Sequence, residues 1–529
     1  MDKKSKKNIV ILVFLLCCSL SAALLVIISG IKYGPGMTHD SAAYMYAAES
    51  LLKGEGFQYF GYPSPFIQWP PLFPALLALG GIFGLSAGTA STLINSLAFA
   101  FIIFLAGRWM LERFSSAVLA AGGTLLLLLS VPLLQVSRYL WSETLFILFF
   151  LLFYLQFERF LRHGRYSSLI LAACFSALAC MDRYAGVTIV AAAGLVLLFT
   201  KKALLRRITD AAIYGIISVF PMGVWVLRNY LVSGTLLGVR LPSPYSLRLN
   251  VKRSLESIYA WVQPDRLLTR HIDGLIVNGL KALAVLLPLI VIAALLSVLA
   301  RKMADPHAAY RIPSDLKTDS ARLLPIAFFA LFSGIYVAYL VASATAVAFE
   351  PINSRYLVPV YLPFLLIFMT SGDYLASRLG ERLNMRAVKY SICLLLALFM
   401  IYPALNTAAS VLVSYRSGAG GYASDSWYDK SGFIPYMQNN ESGTFYSNNA
   451  DAVYTLSGIR TYYPPKKSGP HMYGVEQFRA AISRDESSFI IWFSNGVPQT
   501  LYNLEDMAQL FELEKIGEFE DGEVYKVVN

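Results

Sequence analysis

Charged residues are scarce in this sequence. Asp, Glu, Lys and Arg together make up 15% of the 529 residues, whereas hydrophobic residues make up 56%. A water-soluble domain of this size needs a larger polar surface than so few charges provide, which excludes an ordinary soluble globular protein. Lipid must therefore cover much of the apolar surface, and the composition predicts a polytopic α-helical membrane protein.

Cysteine is also rare, and its placement excludes a disulfide framework. Each cysteine lies in an apolar run; they are Cys17, Cys18, Cys174, Cys180 and Cys393. The sequence also lacks a His, Cys and carboxylate cluster with the ligand spacing of zinc, and it lacks a glycine-rich loop for nucleotide phosphates. We therefore expect no cofactor and a metal-independent protein, although scattered carboxylates could still hold a metal ion.

Acidic residues are scarce before Ser414. From Ser414 onward the chain holds nine Lys and Arg and 15 Asp and Glu, so the first 413 residues hold 35 basic and 18 acidic ones. The basic residues cluster at the ends of hydrophobic runs, as the positive-inside rule predicts for cytoplasmic loops. The net charge of +11 therefore does not indicate a nucleic-acid partner.

Eleven hydrophobic runs are interpreted as transmembrane spans. The first follows four lysines and is too long for the core of a signal peptide, so we expect an uncleaved span that leaves the cytoplasm. An odd number of spans then puts the C-terminal part outside the cytoplasm, with the protein in the inner membrane. The spans are expected at residues 8–31, 88–110, 116–136, 140–162, 166–182, 184–200, 207–231, 277–300, 323–347, 356–379 and 387–413. A single span over 166–200 is the alternative, but it would bury Asp182 and Arg183 at mid-membrane.

Two regions are expected outside the spans. Residues 69–84 are too short and too rich in proline to span, so we expect an outer half-helix at the interface. Residues 1–413 form the transmembrane domain, and residues 414–529 are expected to form an extracytoplasmic α/β domain after the glycine-rich linker "SGAGGYASDS". Its expected elements are strands at "TFYS", "SFIIWFS" and "EVYKVV", helices at "VEQFRAAIS" and "LEDMAQLFELEK", and a hairpin turn at Asp521-Gly522.

Polar side chains gather at the span ends that this topology places outside. Ionisable groups at membrane depth are functional candidates, because burying them is costly. The set comprises His39, Asp40, Glu49, Arg138, Glu143, Asp182, Arg183, Arg228, Asn229, Glu350, Arg355 and Tyr356.

Asp40 has two compatible interpretations. It could cap the helix that begins here, with Thr38 as the competing cap residue. A helix N-terminus also keeps a carboxylate ionised, which suits a general base. At about 100° per residue, Tyr44 shares the face of Asp40, whereas Glu49 points to the other side and is expected to be structural.

The other charged groups also have structural alternatives. Arg138 and Glu143 could form a plain interfacial ion pair. Arg183 and Arg228 could be snorkelling anchors, Arg355 could be an interface anchor, and His39 could be an ordinary loop residue. Several arginines opposite a carboxylate nevertheless match the oxygens of a phosphate group.

An ordered series of segments resembles a known superfamily. Asp40 follows the first span, and "WPPLFPALLAL", "SETLF", "DRYAG", "WVLRNY" and "SRYLVPVYLP" come after it within residues 1–413. In this order they resemble the GT-C superfamily of membrane glycosyltransferases, and especially the bacterial relatives of protein O-mannosyltransferases and of the lipid A aminoarabinose transferase.

The resemblance implies transfer of a sugar from a polyprenyl-phosphate donor to an acceptor hydroxyl of a protein, lipid or envelope glycan on the outer face of the membrane. It implies that Asp40 is catalytic and that Glu143 and Arg138 assist it. Many relatives have a lysine before the paired prolines, where this chain has Gln68-Trp69, so the arginines must carry more of the phosphate contact. The expected site thus comprises Asp40 as catalytic residue; Glu143, Asp182 and His39 as supporting groups; Arg355, Arg138, Arg183 and Arg228 as phosphate ligands; and Tyr44 and Tyr356 as substrate contacts.

The residue types fit this chemistry. Polyprenyl phosphate is a competent leaving group, so positive charge must meet its developing negative charge, and the acceptor hydroxyl needs a carboxylate base. A single displacement predicts inversion at the anomeric carbon. A transporter or flippase of lipid-linked saccharides and an inactive relative remain alternatives, but charges at span ends and a long helical first loop favour the enzyme. The sequence identifies neither the sugar nor the acceptor.

Overall fold

The computed structural model places helices at the expected spans. It describes residues 3–62, 64–200, 202–261, 319–348, 350–380, 385–440, 442–468, 473–485, 487–494 and 500–528. Each expected span contains helix except 277–300, which lies outside the described residues. The helices are α1 Lys3–Ser29, α2 His39–Leu52, α3 Leu72–Ile82, α4 Ala87–Arg113, α5 Ala117–Leu128, α6 Val131–Arg138, α7 Glu143–His163, α8 Tyr166–Asp182, α9 Val187–Leu198, α10 Leu204–Ser233, α11 Leu247–Ala260, α12 Asp319–Ala346, α13 Ser354–Gly380 and α14 Met385–Ser417.

The protein is a polytopic helical membrane protein. In the described part of the chain, six helices are long and apolar enough to cross a membrane, and the bent pair α5–α6 would be a seventh. Helix α8 and the stretch Tyr184–Leu198 are apolar but shorter. The chain is therefore split after Asp182, as expected, while the total of eleven spans stays a prediction.

The expected span 116–136 is bent rather than straight. Helices α5 and α6 meet at 42°. The Ser130 hydroxyl accepts a hydrogen bond from Leu133 N over 3.3 Å, which caps a new helix. Pro132 lies in the first turn of α6 and cannot donate a backbone hydrogen bond into a continuous helix. The break therefore has a local cause in the sequence.

Buried aromatic rings hold α7 against α12. The rings of Phe150 and Phe332 stack with centroids 4.3 Å apart, and those of Tyr154 and Phe329 lie at the same separation. Such pairs contribute about 0.5–1.5 kcal/mol beyond the burial of their area. They fix the position of α7, whose first residue is Glu143.

The first loop carries a short hairpin before α3. Strand β1 (Gln58–Tyr59) pairs antiparallel with β2 (Ser64–Pro65). Helix α3 then begins directly after Pro70-Pro71 and ends at Ile82, which confirms a short helix in the proline-rich segment.

The C-terminal part is built on a five-stranded mixed sheet. Its elements are α15 Asp425–Tyr428, α16 Ile434–Gln438, β3 Thr444–Ser447, α17 Ala450–Ser457, β4 Thr461–Tyr462, α18 Val475–Ile482, β5 Ser488–Phe493, α19 Leu504–Leu510, β6 Glu512–Phe519 and β7 Gly522–Val528. The strand order is β4-β3-β5-β7-β6. β3 is parallel to β4 and β5, whereas β7 is antiparallel to β5 and β6. This is the expected α/β architecture.

Of the five helices and strands expected in the C-terminal part, four are confirmed and the fifth is correct only in its first half. The segment "LEDMAQLFELEK" is helical only to Leu510, and Glu512–Lys515 belongs to β6. In β6, Leu513 pairs with Val527, so the ladder with β7 overrides a favourable helical sequence. The turn between these strands contains Asp521, as expected.

The glycine-rich segment after α14 is packed against the first loop. Tyr422 N donates to Met37 O over 2.8 Å, and Met37 N donates to Gly420 O over 3.2 Å. Gly421 has a φ of +60°, and a Cβ there would lie 1.9 Å from Met37 O. The segment expected as a linker is therefore packed against the first loop, because these glycines allow two backbones to approach closely.

Candidate active site

Three helices begin close together and bring ionisable side chains with them. Asp40 is the second residue of α2, Glu143 is the first residue of α7, and Arg355 is the second residue of α13. A helix N-terminus stabilises a carboxylate and disfavours a cation. An arginine can therefore be accommodated at a helix start here only if it pairs with the two acids. We call Asp40, Glu143 and Arg355 the helix-start site.

Arg355 joins both carboxylates. Its Nη2 donates to Asp40 Oδ2 over 2.5 Å, and its Nε donates to Glu143 Oε1 over 2.7 Å. Its Cζ also lies 3.6 Å from the centroid of the Trp141 ring, a cation–π contact. The Glu143 side chain is fully buried, whereas 22% of the Asp40 side chain is exposed. The site is thus a buried charge cluster that reaches solvent at Asp40.

Arg183 is the second cation of the site. Its Nη1 lies 2.9 Å from Glu143 Oε1 and donates to Ser142 Oγ over 3.2 Å. Glu143 Oε2 is buried without a hydrogen-bond partner in the described part of the chain. Arg183 and Arg355 therefore share one carboxylate oxygen. Each guanidinium has five N–H donors, so both arginines can donate further hydrogen bonds to another anion.

The segment "DRYAG" positions Arg183 through a tight turn. Gly186 N donates to Arg183 O over 2.8 Å in a short 3-10 turn. A Cβ on Gly186 would lie 2.5 Å from Cys180 N, so glycine lets the turn pack against α8. Asp182, the last residue of α8, is buried, and neither of its carboxylate oxygens has a hydrogen-bond partner among the described residues. Asp182 therefore lies beside Arg183 without joining the ion pairs.

Thr38, and not Asp40, is the N-cap residue of α2. Thr38 has extended backbone angles, and its N–H donates to the Ser41 hydroxyl over 3.0 Å. The Thr38 hydroxyl accepts from Trp141 Nε1 over 2.9 Å. The interpretation of Asp40 as a helix cap is therefore wrong, which leaves its carboxylate for Arg355.

The surroundings of Asp40 keep its carboxyl ionised. Burial raises the pKa of Asp40, but the charges of Arg355 and His39 and the hydrogen bond from Arg355 outweigh burial and hold the pKa below the ordinary value of 3.8. A lowered pKa means a carboxylate at neutral pH, which is the protonation state of a proton acceptor.

The C-terminal domain contributes Asp451, which the sequence did not single out. Asp451 Oδ2 lies 3.2 Å from His39 Nδ1 and accepts a hydrogen bond from the Tyr422 hydroxyl over 2.6 Å. The other ring nitrogen of His39 lies 2.9 Å from the Tyr59 hydroxyl. Asp451 is one of many polar residues after residue 414, and only the fold pairs it with His39.

The His39–Asp451 pair shifts the pKa values of both groups. Desolvation by the surrounding residues lowers the pKa of His39, but the hydrogen bond and charge of Asp451, helped by Asp40 and Glu350, raise it above the ordinary 6.5. Burial raises the pKa of Asp451, but His39 and the Tyr422 hydroxyl lower it below 3.8. The pair therefore favours the charged form of each partner.

The two tyrosines expected to contact substrate flank the helix-start site. Tyr44 lies one turn after Asp40 and is buried; burial and the charge of Asp40 both raise the pKa of its phenol, which stays protonated. Tyr356 follows Arg355, and its hydroxyl donates to Glu350 Oε2 over 2.9 Å. Both phenols are thus near the ion pairs.

Arg138 and Arg228 are not brought into the ion-pair cluster. Arg138 donates to two serine hydroxyls of α14, and Arg228 donates to two carbonyls in the first loop. The partners are Ser414 (2.6 Å) and Ser410 (2.9 Å) for Arg138, and Phe66 (3.0 Å) and Phe57 (3.4 Å) for Arg228. The alternative of an Arg138–Glu143 ion pair is also not formed, since Glu143 pairs with the other two arginines.

The acids of the site pair with arginines rather than with one another. In the ranges that the structure describes, no group of three or more His, Cys, Asp and Glu residues is placed to hold a metal ion. The arrangement offers positive charge from guanidinium groups and one partly exposed carboxylate. It can bind an anion and accept a proton.

Comparison with known proteins identifies the fold. No family model and no curated protein matches the chain. The crystal structure of ArnT from Cupriavidus metallidurans bound to undecaprenyl phosphate is similar, with a TM-score of 0.56 at 12% identity over 96% of this chain and 97% of that chain. The apo state of the same protein gives 0.54 at 13% identity over the same shares. The chain therefore has the GT-C fold, as the resemblance predicted.

Proposed function

We propose that this protein is a membrane glycosyltransferase that moves a sugar from a polyprenyl-phosphate donor to an acceptor hydroxyl with inversion. The observation that carries the proposal is the Arg355 bridge between Asp40 and Glu143. It supports the proposal because a guanidinium, a group that can bind phosphate, lies beside a carboxylate that can accept a proton, in a fold shared with ArnT, whose structure holds undecaprenyl phosphate.

Arg355 and Arg183 are the proposed ligands of the donor phosphate. Two guanidinium charges face the carboxylates of Asp40 and Glu143, so these four groups are balanced before substrate binds. A phosphate adds negative charge and competes with Asp40 for Arg355, because a guanidinium fork matches phosphate oxygens in a bidentate way. Donor binding would thus release the Asp40 carboxylate where a proton must be accepted.

Asp40 is the proposed base, and the polyprenyl phosphate is the leaving group. The acceptor oxygen bonds to the anomeric carbon while the bond from that carbon to the phosphate oxygen breaks. Asp40 takes the hydroxyl proton, and the bonding electrons leave with the phosphate, whose charge Arg355 and Arg183 stabilise. One displacement inverts the anomeric centre. The arginines supply the positive charge, so we propose a metal-independent reaction.

The remaining site residues are proposed to position these groups. Glu143 holds both arginines through one oxygen. His39 is tied to Asp451 and Tyr59 on the side of Asp40 away from the bundle, and it adds positive charge near Asp40 when protonated. Asp182 lies next to Arg183 with no hydrogen bond in the described part of the chain, so it remains a candidate for contact with substrate.

The site is proposed to face the extracytoplasmic side of the inner membrane. Helix α7 begins at the site and ends in the basic segment that contains Arg162, which the positive-inside rule assigns to the cytoplasm. Its 21 residues rise by about 30 Å, the thickness of the hydrocarbon core. The acidic C-terminal domain lies on the side of the site.

A transporter of lipid-linked saccharides is the rival function. Transporters carry their charges at mid-membrane on broken helices. Here Asp40, Glu143 and Arg355 lie at helix starts, and Asp40 belongs to a helix outside the spans. This placement favours chemistry at the membrane surface over passage through it.

A transfer assay separates the possibilities. The full chain, purified in detergent, is given polyprenyl-phosphate sugars that carry a radiolabel, with acceptors identified by mass spectrometry of envelope glycans in a deletion strain and its parent. An enzyme releases polyprenyl phosphate and labels the acceptor. Movement of intact lipid-linked sugar between the leaflets of vesicles that contain the protein, without transfer, would support the transporter, and neither activity would support an inactive relative.

A further inference from the structure

A cleft lies between the first loop and the C-terminal domain. Its volume is about 480 Å³. The walls come from α2 and the β1–β2 hairpin on one side, and from β3, β4 and α18 on the other. Half of its lining residues are tyrosines: Tyr46, Tyr59, Tyr62, Tyr446, Tyr462 and Tyr473.

The polar groups of the cleft are neutral or acidic. Glu55, Gln58 and Asp485 line it, and no Lys or Arg does so among the described residues. Asp485 accepts hydrogen bonds from Tyr446 (3.4 Å) and Ser488 (3.2 Å) and has no cationic partner in the described ranges. Arg460 pairs with Glu55, so Asp485 is the lining residue that brings an unbalanced charge, and its carboxylate disfavours phosphate and other anions close to it. The cleft offers aromatic faces for polarised C–H groups and many partners for hydroxyl groups.

We propose that this cleft binds the acceptor, and that the bound part of the acceptor is a neutral saccharide chain. Sugars present C–H faces that lie on aromatic rings, and hydroxyl groups that donate to carboxylates and accept from phenols. This inference rests on the proposed function and adds the chemical class of the acceptor.

One lining residue of the cleft contacts the residue that precedes the proposed base. Tyr59 lines the cleft, and its hydroxyl lies 2.9 Å from His39 Nε2. The Tyr59 ring stacks on Trp69 with centroids 5.9 Å apart. His39 directly precedes Asp40 in α2. We therefore propose that a saccharide bound in the cleft extends past Tyr59 and His39 toward Asp40.

The two walls are tied together, so the cleft is a fixed feature. Arg460 of the C-terminal domain donates to Glu49 over 2.9 Å and to Glu55 over 2.9 Å. Tyr463 N donates to Gly61 O over 2.9 Å. These contacts join the domain to α2 and to the loop of the hairpin on the same side as the cleft.

The test fills the cleft without removing a contact. Ala481 lines the cleft, whereas Ala480, its neighbour on α18, is exposed and does not line it. Ala481→Trp, Ala480→Trp and wild-type full-length protein in detergent are applied to an array of neutral oligosaccharides, acidic oligosaccharides and hydroxyl-bearing peptides. Affinity for the neutral oligosaccharide that binds best is then measured by titration.

We expect wild type and Ala480→Trp to bind neutral oligosaccharides, and Ala481→Trp to bind at least tenfold more weakly. Asp485→Asn, a smaller change, should weaken binding about tenfold through loss of a charged hydrogen-bond acceptor. Binding only to peptides, binding only to acidic sugars, no saccharide binding by wild type, or equal binding by a folded Ala481→Trp would each overturn the inference.

A second measurement separates this inference from the proposed function. Binding of polyprenyl phosphate is measured on the same preparations. If it persists while wild type binds no neutral saccharide, the cleft inference fails alone. If neutral saccharides bind as expected and polyprenyl phosphate does not, the cleft inference stands and the proposed donor site fails.

Discussion

Arg355 is the residue on which the charges of the site depend. It pairs with Asp40 and Glu143 and stacks on Trp141, and only 8% of its side chain is exposed. Removing one partner from a buried ion pair is costly because the other charge stays unpaired. Substitutions at these residues therefore affect stability as well as rate, and each experiment must measure both.

Asp40→Asn should lower the transfer rate by about 10²–10⁴-fold, because a missing general base has a cost of that order. The fold should survive, since Thr38 caps α2 and the amide can still accept from Arg355. The measurement is the initial transfer rate of purified protein at matched yield. Glu112→Gln, a carboxylate change at an exposed residue of α4 that pairs with Arg108, is the control. Transfer at the parental rate would move the base to Glu143 or Asp182.

Arg355→Ala should raise the KM for the donor strongly or abolish transfer. It should also lower Tm, since an unpaired buried carboxylate costs about 3–5 kcal/mol. Arg355→Lys should recover part of the affinity, because the charge returns without the bidentate fork. Arg108→Ala, which removes an exposed arginine paired with Glu112, is the control. A folded Arg355→Ala protein with an unchanged KM would place the phosphate elsewhere.

The His39–Asp451 pair should stabilise the protein more at pH 6 than at pH 9. The pKa of His39 is raised above 6.5, so its contribution is complete below 6.5 and is lost as pH rises through the folded pKa. The pKa of Asp451 is lowered below 3.8, so its contribution is present above 3.8 and is lost only as pH falls through the folded pKa. The difference in Tm between wild type and His39→Gln, measured at both pH values, tests this. An equal difference would contradict it.

At the scale of helices and strands, the local sequence indicates where an element begins and ends if those ends depend only on residues of that element. The Ser130 cap with Pro132, the break at Asp182 and strands β3, β5 and β7 of the C-terminal sheet each have a local signal. Local signals fail where another element competes. The segment after Leu510 joins β6 because β7 offers it a ladder of hydrogen bonds.

The candidate site could also be predicted from the sequence only in part. Asp40, Glu143, Arg183 and Arg355 could be proposed from the sequence because each is an ionisable residue at the end of an apolar run. Their pairing could not be predicted, since Arg355 lies 212 positions from Glu143 and 315 positions from Asp40, and Arg183 lies on a different helix end from Glu143. Arg138 has the same sequence signal as Arg355, but its guanidinium is taken up by serines of α14. No local feature of the sequence marks Asp451 as a site residue.

Gly421→Ala should destabilise the attachment of the C-terminal domain to the first loop. The new Cβ would meet Met37 O at 1.9 Å, in addition to the strain of a positive φ. We expect a loss of about 1–3 kcal/mol, measured as a drop in Tm. Gly458→Ala is the matched control, because it has a φ of +72° and open space around its Cβ. An equal drop in both variants would show that strain alone matters.

At the scale of the whole molecule, the C-terminal domain is part of the site region rather than an appendage. It reaches α2 through Asp451 at His39 and through Arg460 at Glu49, and Asp425 pairs with Lys32 after α1. The sequence predicted a separate extracytoplasmic domain after a linker. In the structure this domain packs against the first loop and α2, and it forms one wall of the tyrosine-lined cleft.

The membrane orientation is a prediction about the whole molecule that also determines on which side of the membrane the site residues lie. The first 413 residues carry 35 basic and 18 acidic residues, and the rest carry nine and 15. The positive-inside rule therefore puts the basic joints in the cytoplasm and the acidic domain outside. A periplasmic reporter such as alkaline phosphatase, fused after Asn529, should be active, and a cytoplasmic reporter at the same position should be inactive. A fusion after Arg165, in the basic joint between α7 and α8, is the internal control and should give the reverse pattern. A cytoplasmic reporter that is active after Asn529, together with alkaline phosphatase that is active after Arg165, would put the helix-start site on the cytoplasmic side, and the proposed orientation would have to be abandoned.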